Sequence, residues 1–323
     1  MDERLPRWRR LRRRFWYHLT RAVLGAVHAL PDRPGRGLCR ALAGAGLRLR
    51  PRECERARRN LALVYPERSP AWREQLLRRA AAALGETLHA TLVADRQAAR
   101  GFPEVVDTPG PDGRGTLAVL RDLLAEGRGA LLVTGHLGCW ELLGAWLARG
   151  LPRSAVITGT VRNPAVDRLL QDRRRALGVQ PLPRDRGARP VLRELDRGAA
   201  VGVLIDQNTR VASASLPFLG HPAPTPLAAA RIARRRRVPL LAAAMVREKG
   251  RWVVHHQAPI DPLAAADAEE LAVRCNAALG ELVLRNPEQW VWFHDRWDLE
   301  RRSTTAAPDD RETVDGTAVE KGR

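Results

Sequence analysis

The pattern of apolar and polar positions divides the chain into a helical first third and a longer part in which strands and helices alternate. From about residue 127, short apolar runs such as ALLVTG (130–135) and AAVGVLID (199–206) are typical of buried strands. Between them lie segments such as CWELLGAWLARG, whose length and closing glycine are typical of a helix. This alternation predicts an α/β fold with a mainly parallel central sheet flanked by helices, preceded by an N-terminal helical region.

The same pattern predicts three parts along the chain. Residues 1–30 form an amphipathic basic helix, and residues 31–302 form the main domain. Within that domain, residues 31–126 are helical and residues 127–302 carry the α/β pattern, which includes VPLLAAAMV and WVVHHQ as paired strands. The polar residues 303–323 have too few apolar positions to bury, which predicts a disordered tail.

The first helix combines a dense run of arginines with an apolar face. Its aromatic and aliphatic positions recur at three- and four-residue steps: Trp8, Leu11, Phe15, Leu19, Ala22 and Ala26. This pattern suits a helix that lies in a membrane interface, with arginines on anionic headgroups. The alternative is a first helix that packs on the domain and exposes a solvated charged face. Charged residues and histidines interrupt the apolar run, so neither a signal peptide nor a spanning helix is predicted.

The formal net charge of +19 comes almost entirely from arginine, since lysine occurs only at Lys249 and Lys321. Such a charge attracts anionic partners, which include nucleic acid, acidic lipid headgroups and an acidic carrier protein. Against nucleic acid, aromatic residues make up only 5% of the chain, and the tryptophans cluster near its ends instead of forming a stacking platform. The four cysteines form no CxxC pair, and we expect neither a metal nor an organic cofactor.

The chemistry-bearing segment is GHLGCWE, which follows the first apolar strand. It places His136 in a turn and Glu141 in the first turn of the next helix, with Gly135 and Gly138 available for a tight bend. We expect the Glu141 carboxylate to fold back onto the imidazole and to orient it. A base oriented in this way can take a proton from an alcohol that attacks an acyl carbonyl. The bland alternative is a helix-capping histidine and a surface glutamate.

Several segments, in the same order, resemble one known family. LLVTGHLGCWE resembles the His-x4-acidic motif of the lysophospholipid acyltransferase superfamily, in particular of the bacterial lipid A biosynthesis (lauroyl/myristoyl) acyltransferases. The resemblance continues through RARRNLALVYPE, TVRNPAVDRLLQDRRRALGVQPLPRD, GVLIDQN and PFLGHPAPTPLAAARIARRRRVPLL to NPEQWVWFHDRW. It covers most of residues 20 to 298 and implies a fold of the glycerol-3-phosphate acyltransferase type.

The resemblance also implies an activity and a set of site residues. The family's catalytic dyad falls on His136 and Glu141, and further functional residues fall on Arg162 and Asp206. Arg162 would hold a phosphate or the developing oxyanion, with Asp206 orienting it. Asn163, Gln207 and the PFLGHPAPTP loop are weaker candidates for the acceptor pocket.

The resemblance implies transfer of a fatty acyl group from an acyl carrier protein to a membrane lipid at the cytoplasmic face of a bacterial inner membrane. The protein would bind that membrane peripherally or monotopically. The sequence leaves coenzyme A open as the donor. It also leaves open a lipid A precursor, a phosphatidylinositol mannoside or a lysophospholipid as the acceptor. His255 and His256 are interpreted as structural, because only one of two adjacent strand residues can face the core.

Overall fold

The computed structural model describes residues 6–161, 163–209 and 211–299, and it has the predicted α/β architecture. Its central sheet contains seven strands, and two further strands form a separate ribbon. The strands are β1 (Val105–Asp107), β2 (Ala130–Thr134), β3 (Ser154–Thr158), β4 (Val179–Pro183), β5 (Ala200–Leu204), β6 (Ser213–Phe218), β7 (His221–Pro226), β8 (Leu240–Glu248) and β9 (Arg251–His256). The tail predicted to be disordered (303–323) lies outside the described residues.

The helices cover the sheet and build the N-terminal region. They are α1 (Arg7–Ala29), α2 (Asp32–Arg48), α3 (Pro51–Val64), α4 (Pro70–Leu92), α5 (Ala94–Ala99), α6 (Thr116–Ala125), α7 (Trp140–Gly150), α8 (Pro164–Ala176), α9 (Arg189–Asp196), α10 (Ala228–Arg236) and α11 (Ala268–Arg285). Single turns of 3₁₀ helix lie at Arg184–Arg186 and Pro287–Gln289. Among the described helices, none combines the length and the apolar character that a bilayer crossing requires.

The strand order of the sheet is β1-β9-β8-β2-β5-β3-β4, and all neighbouring pairs are parallel except β8 with β9. Strand β2 is buried along its whole length near the middle of the sheet. It pairs with β5 from Ala130 opposite Ala200 to Thr134 opposite Leu204. The carboxyl ends of β2 and β5 therefore lie side by side, although some 70 residues of chain separate them.

Helix α2 lies in the region predicted to be helical (31–126), although its segment DRPGRGLCRALAGAGLR is rich in glycine, which disfavours a helix. Packing against α4 accounts for it. A Cβ atom added to Gly85 of α4 would come within 2.5 Å of the Cα atom of Arg40 in α2. The missing side chain lets the two backbones approach, and tertiary contact outweighs the weak local propensity of α2.

The adjacent histidines of β9 face opposite sides, as the strand period requires. His256 is buried, with Nδ1 lying 3.0 Å from Thr116 Oγ1. His255 is half-buried, and its Nε2 atom lies 2.7 Å from Glu248 Oε1. Both side chains join neighbouring elements of the fold, in agreement with the structural interpretation.

Candidate functional site

The site lies at the carboxyl edge of the parallel sheet, where His136 follows β2 and Asp206 follows β5. The Nδ1 atom of His136 is 2.9 Å from Asp206 Oδ1. The backbone N–H of His136 donates to Asp206 Oδ2 at 2.6 Å, so one carboxylate holds both the ring and the main chain of the histidine. Because Asp206 takes Nδ1, the Nε2 atom of His136 is left to face a substrate.

Asp206 is almost fully buried, and its carboxylate is stabilised by hydrogen bonds. The indole Nε1–H of Trp290 donates to Asp206 Oδ2 at 2.8 Å. Burial acts to raise the pKa of Asp206, but the charge and hydrogen bonds of His136 and the Trp290 hydrogen bond outweigh it, so this pKa lies below its ordinary value. An ionised Asp206 fixes the proton of His136 on Nδ1 and makes Nε2 the basic nitrogen.

The two glycines beside His136 serve different purposes. Gly138 has φ +59°, and a Cβ atom there would overlap the carbonyl oxygen of Met245, to which the N–H of Cys139 donates at 2.8 Å. Gly135 has no such positive φ; instead, a Cβ atom there would lie 2.8 Å from Asp206 Oδ2. Gly138 thus permits the turn that was expected, whereas Gly135 leaves room for the Asp206 carboxylate.

Glu141 is not the carboxylate that holds the His136 ring in this structure. Arg174 of α8 grips both of its oxygens, with Arg174 Nε donating to Glu141 Oε2 at 3.0 Å and Arg174 Nη2 donating to Oε1. Both side chains are about four-fifths buried. The expected folding back of Glu141 onto the imidazole is therefore replaced by a forked ion pair between α7 and α8. The position beside Nδ1 belongs to Asp206.

A largely apolar cavity of about 520 Å³ opens beside His136. Trp140 and the Glu141–Arg174 pair line it near the histidine, and the Trp140 ring meets the His136 ring edge-on at 4.7 Å between centroids. Away from the histidine, aliphatic side chains of the sheet and of α7, α9 and α10 line it, among them Leu147 and Val191. A volume in this range with few polar groups at one end is typical of a ligand site.

The remaining site candidates are placed differently. Gln207 lines the cavity next to Asp206, whereas Arg162 lies outside the described residues. Both oxygens of Asp206, expected to orient Arg162, are engaged by His136 and Trp290. Asn163 Oδ1 caps α8 by accepting from the Ala165 N–H at 3.1 Å, and its Nδ2 donates to the carbonyl oxygen of Arg13 in α1 at 2.9 Å. Its contact with a substrate stays a prediction.

The PFLGHPAPTP segment, expected to be a loop of the acceptor pocket, forms most of the β6–β7 ribbon. Its last proline, Pro226, lines the cavity together with the first turn of α10. The buried Arg296 holds the ribbon in place: its Nη2 donates to Thr225 Oγ1 at 2.9 Å. The segment thus reaches the cavity only at its end.

Two residues of the site were not singled out in the sequence. Trp290 is one of three tryptophans in NPEQWVWFHDRW, and Arg174 is one arginine among several in LLQDRRRALG. Both belong to segments that carry the family resemblance, which is the signal that marks them. Their contacts could not be assigned because 84 residues separate Trp290 from Asp206, and 33 separate Arg174 from Glu141.

Comparison with known proteins yields one family and two relatives. A family model described as bacterial lipid A biosynthesis acyltransferase matches residues 3–298. A phosphatidylinositol mannoside acyltransferase of Mycobacterium tuberculosis strain ATCC 25618 / H37Rv is 24% identical over 187 residues, 57% of this chain and 59% of the relative. The protein of the same name from strain CDC 1551 / Oshkosh is 23% identical over the same shares. The match thus spans less than two thirds of each relative.

Proposed function

The chain belongs to the bacterial lipid A biosynthesis acyltransferase family, and from this premise we propose that it transfers a fatty acyl group from a thioester to a hydroxyl of a membrane lipid. The observation that carries the proposal is the His136–Asp206 pair at the mouth of an apolar cavity. The pair provides an oriented base, and the cavity provides a dry place for a hydrocarbon chain.

In the proposed reaction, His136 Nε2 accepts the proton of the acceptor hydroxyl while the hydroxyl oxygen attacks the thioester carbonyl carbon. The new C–O bond forms an oxyanion intermediate, and the C–S bond then breaks. The proton held on Nε2 passes to the departing sulfur, which leaves as a thiol. Asp206 stays ionised throughout and stabilises the imidazolium that forms between the two steps.

We assign Glu141 and Arg174 a positioning role in this scheme. The ion pair joins the first turn of α7, which follows His136, to α8 at the cavity mouth. The mostly buried pair holds the cavity wall in place, because separating it would leave an unpaired charge away from water. Arg162 and Gln207 remain the candidates for contacts with the substrate headgroup.

For the acceptor we propose a membrane glycolipid. The family description points to a lipid A precursor as the first candidate, and the two mycobacterial relatives point to a phosphatidylinositol mannoside as the second. The shared chemistry would be a sugar hydroxyl presented at a lipid surface. A lysophospholipid would place the hydroxyl on glycerol instead.

For the donor we propose an acyl carrier protein, with coenzyme A thioesters as the alternative. Arg184 lines the cavity, and Arg186 and Arg189 lie exposed on the turns that follow it. With a net charge of +19, these arginines favour approach of an acidic protein or of a phosphate-bearing thiol. We also propose that the protein acts at the cytoplasmic face of the inner membrane, because such donors are made on that side.

We propose that α1 binds the membrane through the apolar side chains that are exposed on that helix. Trp8 and Phe15 are 56% and 61% exposed; Trp8 lies between Arg7 and Arg9, and Phe15 follows Arg14. Replacing both residues with alanine is expected to weaken binding to anionic vesicles by about 10²-fold or more, because each aromatic ring contributes roughly 1.5–3 kcal/mol when it leaves water. Vesicle co-sedimentation measures this.

A matched control for that experiment is Leu284→Ala. Leu284 is 49% exposed on α11, so its loss removes a similar exposed apolar group from another element. Equal binding by the wild type and the Trp8→Ala/Phe15→Ala variant would refute the role of α1 at the membrane.

The direct test of the proposed activity uses purified protein, an acyl carrier protein loaded with a radiolabelled chain, and vesicles that contain either candidate glycolipid. Label is expected to move to the lipid, with release of the carrier thiol. The His136→Ala variant serves as the blank, and transfer equal to wild type would eliminate His136 as the base. Salt-sensitive binding to DNA without any lipid product would instead favour a nucleic-acid-binding protein.

Gly135→Ala provides a further test of the dyad. Because the added Cβ atom would lie 2.8 Å from Asp206 Oδ2, the carboxylate has to move away from its present position against His136. We expect kcat to fall by about 10²-fold, since small displacements of a catalytic group are costly. Gly46→Ala, in α2 and away from the cavity, has nothing within 4 Å of its added Cβ atom and is the matched control. Equal kcat values for the two variants would contradict the assignment.

A further inference from the structure

The sheet opens between β3 and β5 toward its carboxyl edge. The two strands are paired from Ser154 opposite Ala200 to Val156 opposite Gly202. Beyond that point, among the described residues, each strand pairs only with its neighbour on the other side. Strand β5 stays paired with β2 as far as Leu204, and β3 stays paired with β4 as far as Thr158. A cleft therefore separates the last residues of β3 from those of β5.

The cavity beside His136 extends through this cleft. All residues of β3 (Ser154–Thr158) line it, as do the consecutive residues from Gly202 to Ile205. Successive side chains of a strand point to opposite faces, so a cavity lined by consecutive residues reaches both faces of the sheet. In agreement with this, Leu147 of α7 lines it on one face, and Ile232 of α10 lines it on the other. Along β3 it measures about 13 Å, from the rise per residue of a strand.

Two glycines that lie inside a helix or a strand line this cavity where backbone geometry does not require them. Gly144 lies within α7 and Gly202 within β5, and neither has a positive φ. A Cβ atom on Gly144 would lie 3.7 Å from Val179 Cγ2, and one on Gly202 would lie 3.5 Å from Val156 Cγ2, both ordinary contacts. Glycine weakens the interior of a helix or strand. What these two positions supply is empty volume inside the cavity.

We propose that the acyl chain of the substrate passes from the cleft at the carboxyl ends of β3 and β5 into the part of the cavity that lies beside α7, and that Gly144 and Gly202 set the longest chain that fits. This inference rests on the proposed acyl transfer. His136 stands at the carboxyl edge, where the thioester would react, and the chain extends from there toward Val179 at the start of β4. Gly144 and Gly202 lie between these two ends, so side chains at these positions would meet the distal part of the chain.

The test gives the wild type, Gly144→Leu and Gly202→Val a mixture of a long and a short acyl donor. Because the two donors compete for the same enzyme, the product ratio measures the ratio of their kcat/KM values. We expect the preference for the long donor over the short one to fall by about tenfold or more, the order of discrimination that a single methylene produces in an apolar pocket. Gly46→Leu is the matched control, because Gly46 lies in α2 with nothing within 4 Å of its added Cβ atom. Gly144→Ala and Gly202→Ala replace the larger substitutions if either fails to fold.

A binding measurement separates this inference from the proposed reaction. Free fatty acids of graded length are expected to raise the unfolding temperature of the wild type and of Gly46→Leu, whereas the two cavity variants respond only to the shorter acids. Absence of acyl transfer by the wild type, with this length-dependent response intact, would count against the reaction and leave the chain site supported. The inference would be overturned if folded variants at both Gly144 and Gly202 kept the wild-type preference for the long donor and the wild-type rise in unfolding temperature with long acids.

Discussion

The Asp206→Asn variant is expected to lose acyl transfer by about 10³ to 10⁴-fold in kcat while it keeps its fold, the magnitude found when the carboxylate behind a catalytic histidine is replaced by an amide. The Asp206 side chain lies 2.9 Å from His136 Nδ1 and accepts the Trp290 indole N–H. An asparagine can still accept one of these hydrogen bonds, but its amide carries no charge to stabilise the imidazolium. Transfer of label to lipid at saturating donor measures kcat.

Glu141→Gln is the matched comparison, because it makes the same chemical change at the carboxylate that the sequence favoured. We expect a smaller loss of kcat, since Glu141 contacts Arg174 and acts on the histidine only through the position of the loop. Nitrogen chemical shifts of the His136 ring should report a changed tautomer in Asp206→Asn and an unchanged one in Glu141→Gln. The reverse order of effects would identify Glu141 as the orienting carboxylate.

The Gly138→Ala variant is expected to be destabilised by about 3 kcal/mol or more, which is severe for a single added methyl group. Gly138 has φ +59°, and a Cβ atom there would overlap the Met245 carbonyl oxygen in β8. That oxygen already accepts from the Cys139 N–H, and the Gly138 N–H donates to the Gln289 carbonyl oxygen at 2.9 Å. The turn therefore cannot move without breaking contacts to two neighbouring segments. Urea unfolding measures the change in free energy.

Gly113→Ala isolates the part of this cost that comes from the backbone angle. Gly113 has φ +77° with nothing within 4 Å of an added Cβ atom, so only the left-handed conformation penalises the substitution. A loss of about 1–2 kcal/mol is expected there. If Gly138→Ala lowered the free energy of unfolding no more than Gly113→Ala does, the overlap of the added Cβ atom with the Met245 carbonyl oxygen would have no cost.

The elements that the sequence predicted correctly are those with strong local signals. The apolar run ALLVTG (130–135) was predicted as a buried strand, and it forms β2 (Ala130–Thr134), in which every residue is buried. Two strands that it missed are rich in proline. Strand β4 contains Pro181 and Pro183, and β7 contains proline at every second position. Proline is tolerated in these strands because β4 is an edge strand of the sheet and β7 belongs to a two-stranded ribbon.

The sequence by itself determined the α/β architecture, the family and the position of His136 at the end of a buried strand. These depend on local periodicity, on glycines beside a turn and on ordered segments, all of which can be read along one chain. Only the tertiary structure decided which carboxylate holds His136. Glu141 is only five residues from His136 in the sequence, but its side chain, in the first turn of α7, binds Arg174. Asp206 is 70 residues away in the sequence. Asp206 reaches the ring because β5 pairs directly with β2, and strand order is a property of the packed sheet.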